Sequence, residues 1–228
     1  MCLIQLIFKE VVDKLELEDI KREVLETSIK MFEIGLVAGT WGNISARVDK
    51  HYIIITPSGM SYNVLKPEDM VLANINDLSY EGKLKPSIEF PLHAGIYKAR
   101  SEINAVIHTH SPCASSVAAA RKDIPPMLDD MVQIVGGSIR ITEYALPGSE
   151  QMVKNAIKKL ENRNAIILAN HGPVCLGRNL NEALITCQIV EKASKVFIDT
   201  QAFGGPVCLT NEDVDLMRKI FLEKYGQK

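Results

Sequence analysis

The chain holds five histidines, His51, His93, His108, His110 and His171, and three of them sit where short apolar runs end. Val106-Ile107-His108-Thr109-His110 closes one run, and Leu168-Ala169-Asn170-His171-Gly172 closes another. Residues two apart on a strand face the same side, so His108 and His110 can turn both imidazoles to one point. Strands laid side by side would bring His171 to the same end. Three neutral imidazoles with an open fourth position make a catalytic zinc site, with Zn–N about 2.0–2.1 Å. A His-x-His pair also caps strand-end hydrogen bonds, and the same pair with a distant His suits cupins and metallohydrolases. Spacing alone does not choose among them. Glu89 follows Lys85-Pro86-Ser87 in the first turn of a helix. A carboxylate there either answers the helix dipole or serves as a general base beside a metal.

These residues need a scaffold, and the chain can supply one. Its 228 residues are 46% apolar, 24% charged and 6% aromatic, enough to bury a substantial core, and one domain spanning 1–228 is expected. A formal charge of -2 offers no basic field for nucleic acid. Five cysteines, odd in number and without a CxxC pair, point to a reduced, cytoplasmic setting. No run approaches the ~20 apolar residues that span a bilayer, and the apolar start at Leu3–Phe8 is too short for a secretory leader. A GxxxxGK loop is absent from the sequence, so ATP chemistry is not indicated.

Apolar residues at helical spacing predict an amphipathic helix over 18–37, broken by Gly39 and Gly42. Ile44–Arg47 and Tyr52–Thr56 flank Asp49-Lys50 as a hairpin, and Val71–Ile75 is a further strand. Ser87 is expected to cap a helix to about Arg100, with Pro91 in its first turn. Ala105–Thr109 predicts a strand, and Ser111-Pro112 opens a helix to Ala120. Ile139–Ile141 and Ala165–Ala169 predict strands on either side of a helix from Ser149 to about Asn162. Val174–Leu176 pairs back as a hairpin partner, and helices over 181–200 and 212–225 finish the chain. Mingled strands and helices with several tight turns predict an α/β fold with a mixed, partly antiparallel sheet covered by helices.

In one order the chain carries Gly42-Asn43-Ile44-Ser45, Thr56-Pro57-Ser58-Gly59, Pro86-Ser87-Ile88-Glu89, Val106-Ile107-His108-Thr109-His110 and Asn170-His171-Gly172. In these it resembles the class II aldolase/adducin superfamily, and within it the aldolases of the L-fuculose-phosphate type, over about 18–225. The resemblance implies a three-layer α/β/α fold with a mostly antiparallel sheet. It implies a homotetramer with sites near subunit boundaries and a sugar phosphate as the small-molecule partner. By motif, His108, His110 and His171 become ligands of Zn2+, with Mn2+ or Co2+ as alternatives. Glu89 becomes the acid/base and a resting-state ligand. Asn43, Ser58, Gly59 and Ser87 become the phosphate cradle, and Tyr225 matches a C-terminal tyrosine that reaches an active site. The implied reaction cleaves a ketose 1-phosphate to dihydroxyacetone phosphate and an aldehyde.

The chain departs from that pattern twice. Ile88 stands where those aldolases have a second serine, and one reading turns it to the core. Asp130 stands where they have a tyrosine, either as a replacement acid/base or as a loop carboxylate. Within the superfamily the alternatives are pentulose-phosphate 4-epimerisation and methylthioribulose-phosphate dehydration. The epimerases have Asp where this chain has Glu89, which favours the aldolase. An adducin-like binding module is disfavoured by the three histidines. Elsewhere, His93 lies four residues after Glu89 on one helix face, placed to support the site without ligating. Trp41 reads as a packing residue, His51 as solvated in a turn, and Cys113 as a buried thiol.

Overall fold

The computed structural model describes residues 3–224. Strands β1 (Asn43–Arg47), β2 (Tyr52–Ile55), β3 (Val71–Asn74), β4 (Tyr80–Glu81), β5 (Ala105–His108), β6 (Arg140–Ile141), β7 (Ala165–Ile167) and β8 (Pro173–Gly177) form one sheet. Its order is β4-β3-β2-β1-β5-β8-β7-β6. Neighbours are antiparallel except β6 and β7, which run parallel. The helices are α1 (Leu3–Glu33), α2 (Phe90–Ala99), α3 (Pro112–Ala120), α4 (Asp129–Val135), α5 (Glu150–Leu160), α6 (Leu180–Thr200) and α7 (Asn211–Lys224). Among the described residues no helix is long and apolar enough to cross a membrane.

Strand alternation explains the three layers. Ile54 and Ile107 join Val24, Met31, Val117, Met131, Leu184 and Val190 from α1, α3, α4 and α6 in one core. Ile53, Ile55 and Val106 point the other way, onto Leu92, Ile96, Met152 and Ala156 of α2 and α5. Both sheet faces are therefore covered, which is why β2, β5, β7 and β8 read as apolar runs rather than as an alternation with polar residues. Each fully buried isoleucine contributes about 1.5–3 kcal/mol of burial. The β1–β2 turn is closed by Asp49, whose Oδ1 accepts from His51 N at 2.6 Å and Tyr52 N at 2.8 Å. This is the Asx turn that makes Asp favourable there.

Several boundaries differ from expectation. α1 begins at Leu3 and ends at Glu33, short of Val37. Gly35, with φ +76°, stops it before Gly39 is reached. Ser87 is not the cap of α2: Glu89 holds that position, and Ser87 precedes the helix, its carbonyl accepting from Phe90 N at 2.9 Å. Pro91 lies in the first turn, where its missing N–H leaves nothing unpaired. Ser111-Pro112 opens α3 as predicted, and the Ser149 hydroxyl accepts from Met152 N at 3.2 Å to cap α5. The short elements α4 and β4 had no predicted counterpart.

Candidate metal centre

The ends of β1, β5 and the β7–β8 turn meet at one end of the sheet. In the β1–β5 register Asn43 lies opposite His108, and in the β5–β8 register His108 lies opposite Val174. Asn43, Ser45, Val106 and His108 thus share the face covered by α2. The β7–β8 turn brings His171 to the same place. Leu168 N donates to Gly172 O at 2.9 Å and His171 N to Leu168 O at 3.1 Å, with Asn170 in the left-handed region at φ 57°. Asparagine tolerates that conformation better than most residues. A Cβ on Gly172 would stand 2.1 Å from Thr109 O, so only glycine lets the turn lie against His108-Thr109-His110. Gly42, at φ +99°, has the same reason: a Cβ there would stand 2.9 Å from His108 O.

His108 Nε2 lies 2.9 Å from His110 Nε2 and 3.3 Å from His171 Nε2. The three ring centroids are 4.7–4.8 Å apart and the rings are mutually inclined by 71–77°, a tripod. His108 Nδ1 lies 2.9 Å from Pro173 O. A carbonyl only accepts, so Nδ1 carries the hydrogen and Nε2 turns a lone pair inward. Donors arranged tetrahedrally at a Zn–N distance of 2.0–2.1 Å would be about 3.3–3.4 Å apart, which the His108–His171 pair matches at 3.3 Å and the His108–His110 pair undercuts at 2.9 Å.

Glu89 completes the set. Its Oε2 lies 3.3 Å from His108 Nε2 and its Oε1 3.5 Å from His171 Nε2. The side chain is buried, yet Oε1 has no hydrogen-bond partner. A buried, unpaired carboxylate oxygen is costly unless a cation answers it. Burial opposes ionisation of Glu89, but His108, the Asn43 amide and His171 outweigh it and hold the carboxyl below its ordinary range. Burial, reinforced by the neighbouring imidazoles, holds His110 down to about 3 and His171 to about 4. Near neutral pH both are therefore uncharged and ready to ligate. Three clustered imidazoles, with an anionic carboxylate 3.3 Å from one of them and 3.5 Å from another, suit a divalent cation.

The other anticipated residues are distributed unevenly. Asn43 is buried and its Nδ2 donates to Glu89 Oε2 at 2.9 Å. The Thr56–Gly59 and Lys85–Ser87 segments run side by side, with Ser58 N donating to Lys85 O at 3.0 Å and Ser87 N to Thr56 O at 3.1 Å. This places Ser58 and Gly59, both exposed, beside the buried Ser87 that leads into Glu89. Ile88 does not face the core: it is 65% exposed next to Glu89. Trp41 is not a packing residue either. It is 63% exposed, its ring 5.6 Å from that of His110.

Asp130 lies in the first turn of α4 rather than in a loop, ion-paired with Lys192 of α6 at 2.5 Å, and no contact joins it to the histidines. Cys113 is half-buried, and its backbone N–H donates to Glu191, which caps α3. His51 is exposed in its turn, and Tyr225 lies outside the described residues. His93 is fully buried behind Asn43, with its Nε2 2.6 Å from Asn43 Oδ1 and its Nδ1 2.7 Å from Ser45 Oγ. Burial holds it near 3, uncharged. Ser45 and Tyr97 also join this cluster and were not singled out from the sequence. The signal was there: alternate strand positions 43 and 45 face every fourth helix position, 89, 93 and 97.

A three-layer α/β/α fold with an imidazole tripod and a carboxylate at one sheet end defines an enzyme of the class II aldolase type. Residues 22–198 match the family described as Class II Aldolase and Adducin N-terminal domain, and the chain belongs to that family. It is similar to 5-deoxy-D-ribulose 1-phosphate aldolase of Bacillus thuringiensis, 32% identical over 91% of this chain and 97% of the relative. It is also similar to L-fuculose phosphate aldolase of Escherichia coli, 31% identical over 93% and 98%. A third relative, 5-methylthioribulose-1-phosphate/5-deoxyribulose-1-phosphate aldolase of Rhodospirillum rubrum, is 30% identical over 91% and 92%. A solved structure of L-fuculose 1-phosphate aldolase superposes with TM-score 0.86 at 35% identity, covering 90% of this chain and 96% of that one.

Proposed function

We propose that this protein is a zinc-dependent aldolase that reversibly cleaves a ketose 1-phosphate to dihydroxyacetone phosphate and an aldehyde. The observation that carries the reading is the cluster of three imidazoles, two of which lie 3.3 and 3.5 Å from a buried carboxylate whose Oε1 is unpaired. His108, His110, His171 and, at rest, Glu89 would hold the ion. When bound, the metal supplies Lewis-acid stabilisation of the negative charge left on the ketose oxygens as the C3–C4 bond breaks. In cleavage Glu89 would take up the proton that the C4 hydroxyl gives up as the aldehyde carbonyl forms and return a proton to C3 of the three-carbon fragment, and in condensation it would remove that proton from C3 and return it to the new C4 oxygen. Ser58, Gly59, Ser87 and the second amide hydrogen of Asn43 bind the phosphate through neutral donors.

Exposed Trp41 and Ile88 beside the centre favour an aldehyde half that ends in an apolar group. The 5-deoxy sugars in two relatives' names are of that kind. We further propose a cyclic homotetramer in which Asp130 and Tyr225 approach a neighbouring subunit's centre, since a heterologous interface ends in a closed ring. Two variants test the reading. His110→Ala should lower zinc content from about one per chain and abolish cleavage. Glu89→Gln should keep most of the metal and lose about 10²-fold in turnover. A Glu89→Gln enzyme with near wild-type turnover would remove Glu89 from the mechanism.

A further inference from the structure

Behind Glu89 lies a line of buried polar groups that neither ligates nor reaches solvent. Strand β1 presents Asn43 and Ser45, about 6.6 Å apart along a strand, to Glu89, His93 and Tyr97 of the α2 segment, about 6 Å apart per four helical residues. The near-equal spacing lets the rows interlock. Tyr97 OH lies 2.9 Å from Ser45 Oγ, Ser45 Oγ 2.7 Å from His93 Nδ1, and His93 Nε2 2.6 Å from Asn43 Oδ1. Asn43 Nδ2 then donates to Glu89 Oε2 at 2.9 Å. His93 is fully buried, as are Ser45 and Tyr97.

The hydrogens in this line have one consistent order. An ionised Glu89 only accepts, so Asn43 must turn its NH2 toward it and its carbonyl oxygen toward His93. That oxygen also only accepts, so His93 must carry its hydrogen on Nε2 and accept on Nδ1 from the Ser45 hydroxyl. With the opposite tautomer, His93 Nε2 would draw the Asn43 NH2 to itself, and Asn43 Oδ1 would face Glu89 Oε2 as one acceptor against another. The cost of that arrangement falls on the carboxylate.

We propose that His93 is a positioning residue: as the Nε2–H tautomer it locks the Asn43 amide so that its N–H holds Glu89 Oε2, which fixes the carboxylate with Oε2 beside His108 and the unpaired Oε1 beside His171. Buried partners of this kind, acting through the residues that touch metal or substrate, are commonly worth 10- to 100-fold in affinity or activity. The consequence for turnover rests on Glu89 being the acid/base; the tautomer itself does not.

The direct test is the His93 tautomer in metal-free protein carrying isotope-labelled histidine, read by long-range proton–nitrogen correlation. The expected result is hydrogen on Nε2, and hydrogen on Nδ1 would overturn the proposal. Three variants test the consequence. His93→Gln keeps an N–H at the Nε2 position, His93→Asn keeps a polar atom only near Nδ1, and His93→Phe keeps only the volume. Turnover close to wild type is expected for Gln, with kcat lowered about 10- to 100-fold and KM little changed for Asn and Phe. A Phe variant as active as the Gln variant would make His93 core filling and sink the idea. If the Phe variant fails to fold, the tautomer measurement still decides. An inactive Glu89→Gln enzyme beside fully active His93 variants would overturn only this proposal, whereas an active Glu89→Gln enzyme would overturn the acid/base reading with it.

Discussion

Gly172→Ala is the smallest change that should reach the candidate metal centre without touching any of its histidines or Glu89. The added Cβ would stand 2.1 Å from Thr109 O, 3.2 Å from Thr109 C and 3.4 Å from His110 Cα, where real Cβ atoms keep at least 3.0 Å from such neighbours. All three neighbours are backbone, so no side chain can swing aside. The β7–β8 turn and the end of β5 must part by roughly an ångström. Overpacking of this kind costs typically about 1–3 kcal/mol. In a chain of this size each kcal/mol lowers Tm by about 2–4 °C, so a fall of about 2–12 °C is expected. His171 precedes the turn glycine and His110 follows the clashing carbonyl, so the displacement separates ligands from one another. Metal sites tolerate only about 0.2 Å in ligand distance, which puts the expected loss of zinc affinity at about tenfold or more. Thermal unfolding of metal-free protein measures the first effect, and zinc titration against a competing chelator the second. A variant that melts with wild type and binds zinc as tightly would refute the close approach of the two backbones.

The remaining predictions follow from burial and from the proposed assembly. His93, His110 and His171 are held near 3, 3 and 4 in the folded chain against about 6.5 unfolded, so the unfolded state binds more protons as pH falls between those values. Stability of metal-free protein should therefore drop from about pH 6.5 toward pH 4, with the lowered carboxyl of Glu89 adding to the loss at the acid end. A Tm that stays flat between pH 7 and pH 5 would contradict this. Trp41→Ala should leave Tm nearly unchanged, because exposed positions contribute within about 0.5 kcal/mol, while raising KM for the ketose phosphate. Unchanged kinetics would remove Trp41 from the substrate's surroundings. Deleting 225–228 should lower turnover and leave metal content intact. Light scattering should give a mass near four chains, and a fully active monomer would refute the shared site.

Much of this was legible because antiparallel strands make local patterns point to shared places. His108 and His110 end one apolar run and His171 follows another, and pairing β5 with β8, which follows β7 through the His171 turn, brings all three to one sheet end. The α/β/α layering was readable from runs such as Tyr52–Ile55, whose alternate isoleucines go to opposite cores. What escaped depends on tertiary contact. Ser87 looks like a helix cap locally, but its N–H is taken by Thr56 O and the helix starts two residues later. Ile88 and Trp41 are apolar and would ordinarily be assigned to the interior, yet they flank the site in solvent. The α4 helix is only seven residues long, too short for periodicity to reveal, which is why the sequence leaves Asp130 open between a replacement acid/base and a loop carboxylate. Its partner Lys192 lies 62 residues away in sequence.

Metal-dependent cleavage is the central claim, and product analysis tests it most directly. Zinc-loaded protein is incubated with 5-deoxyribulose 1-phosphate and L-fuculose 1-phosphate, and the products are identified by mass spectrometry, with and without a chelator. The expected result is dihydroxyacetone phosphate and the matching aldehyde in equal amounts, abolished by chelation and restored by added zinc. Cleavage that persists in metal-free protein, or a zinc-loaded protein that releases no dihydroxyacetone phosphate from any ketose 1-phosphate, would contradict it.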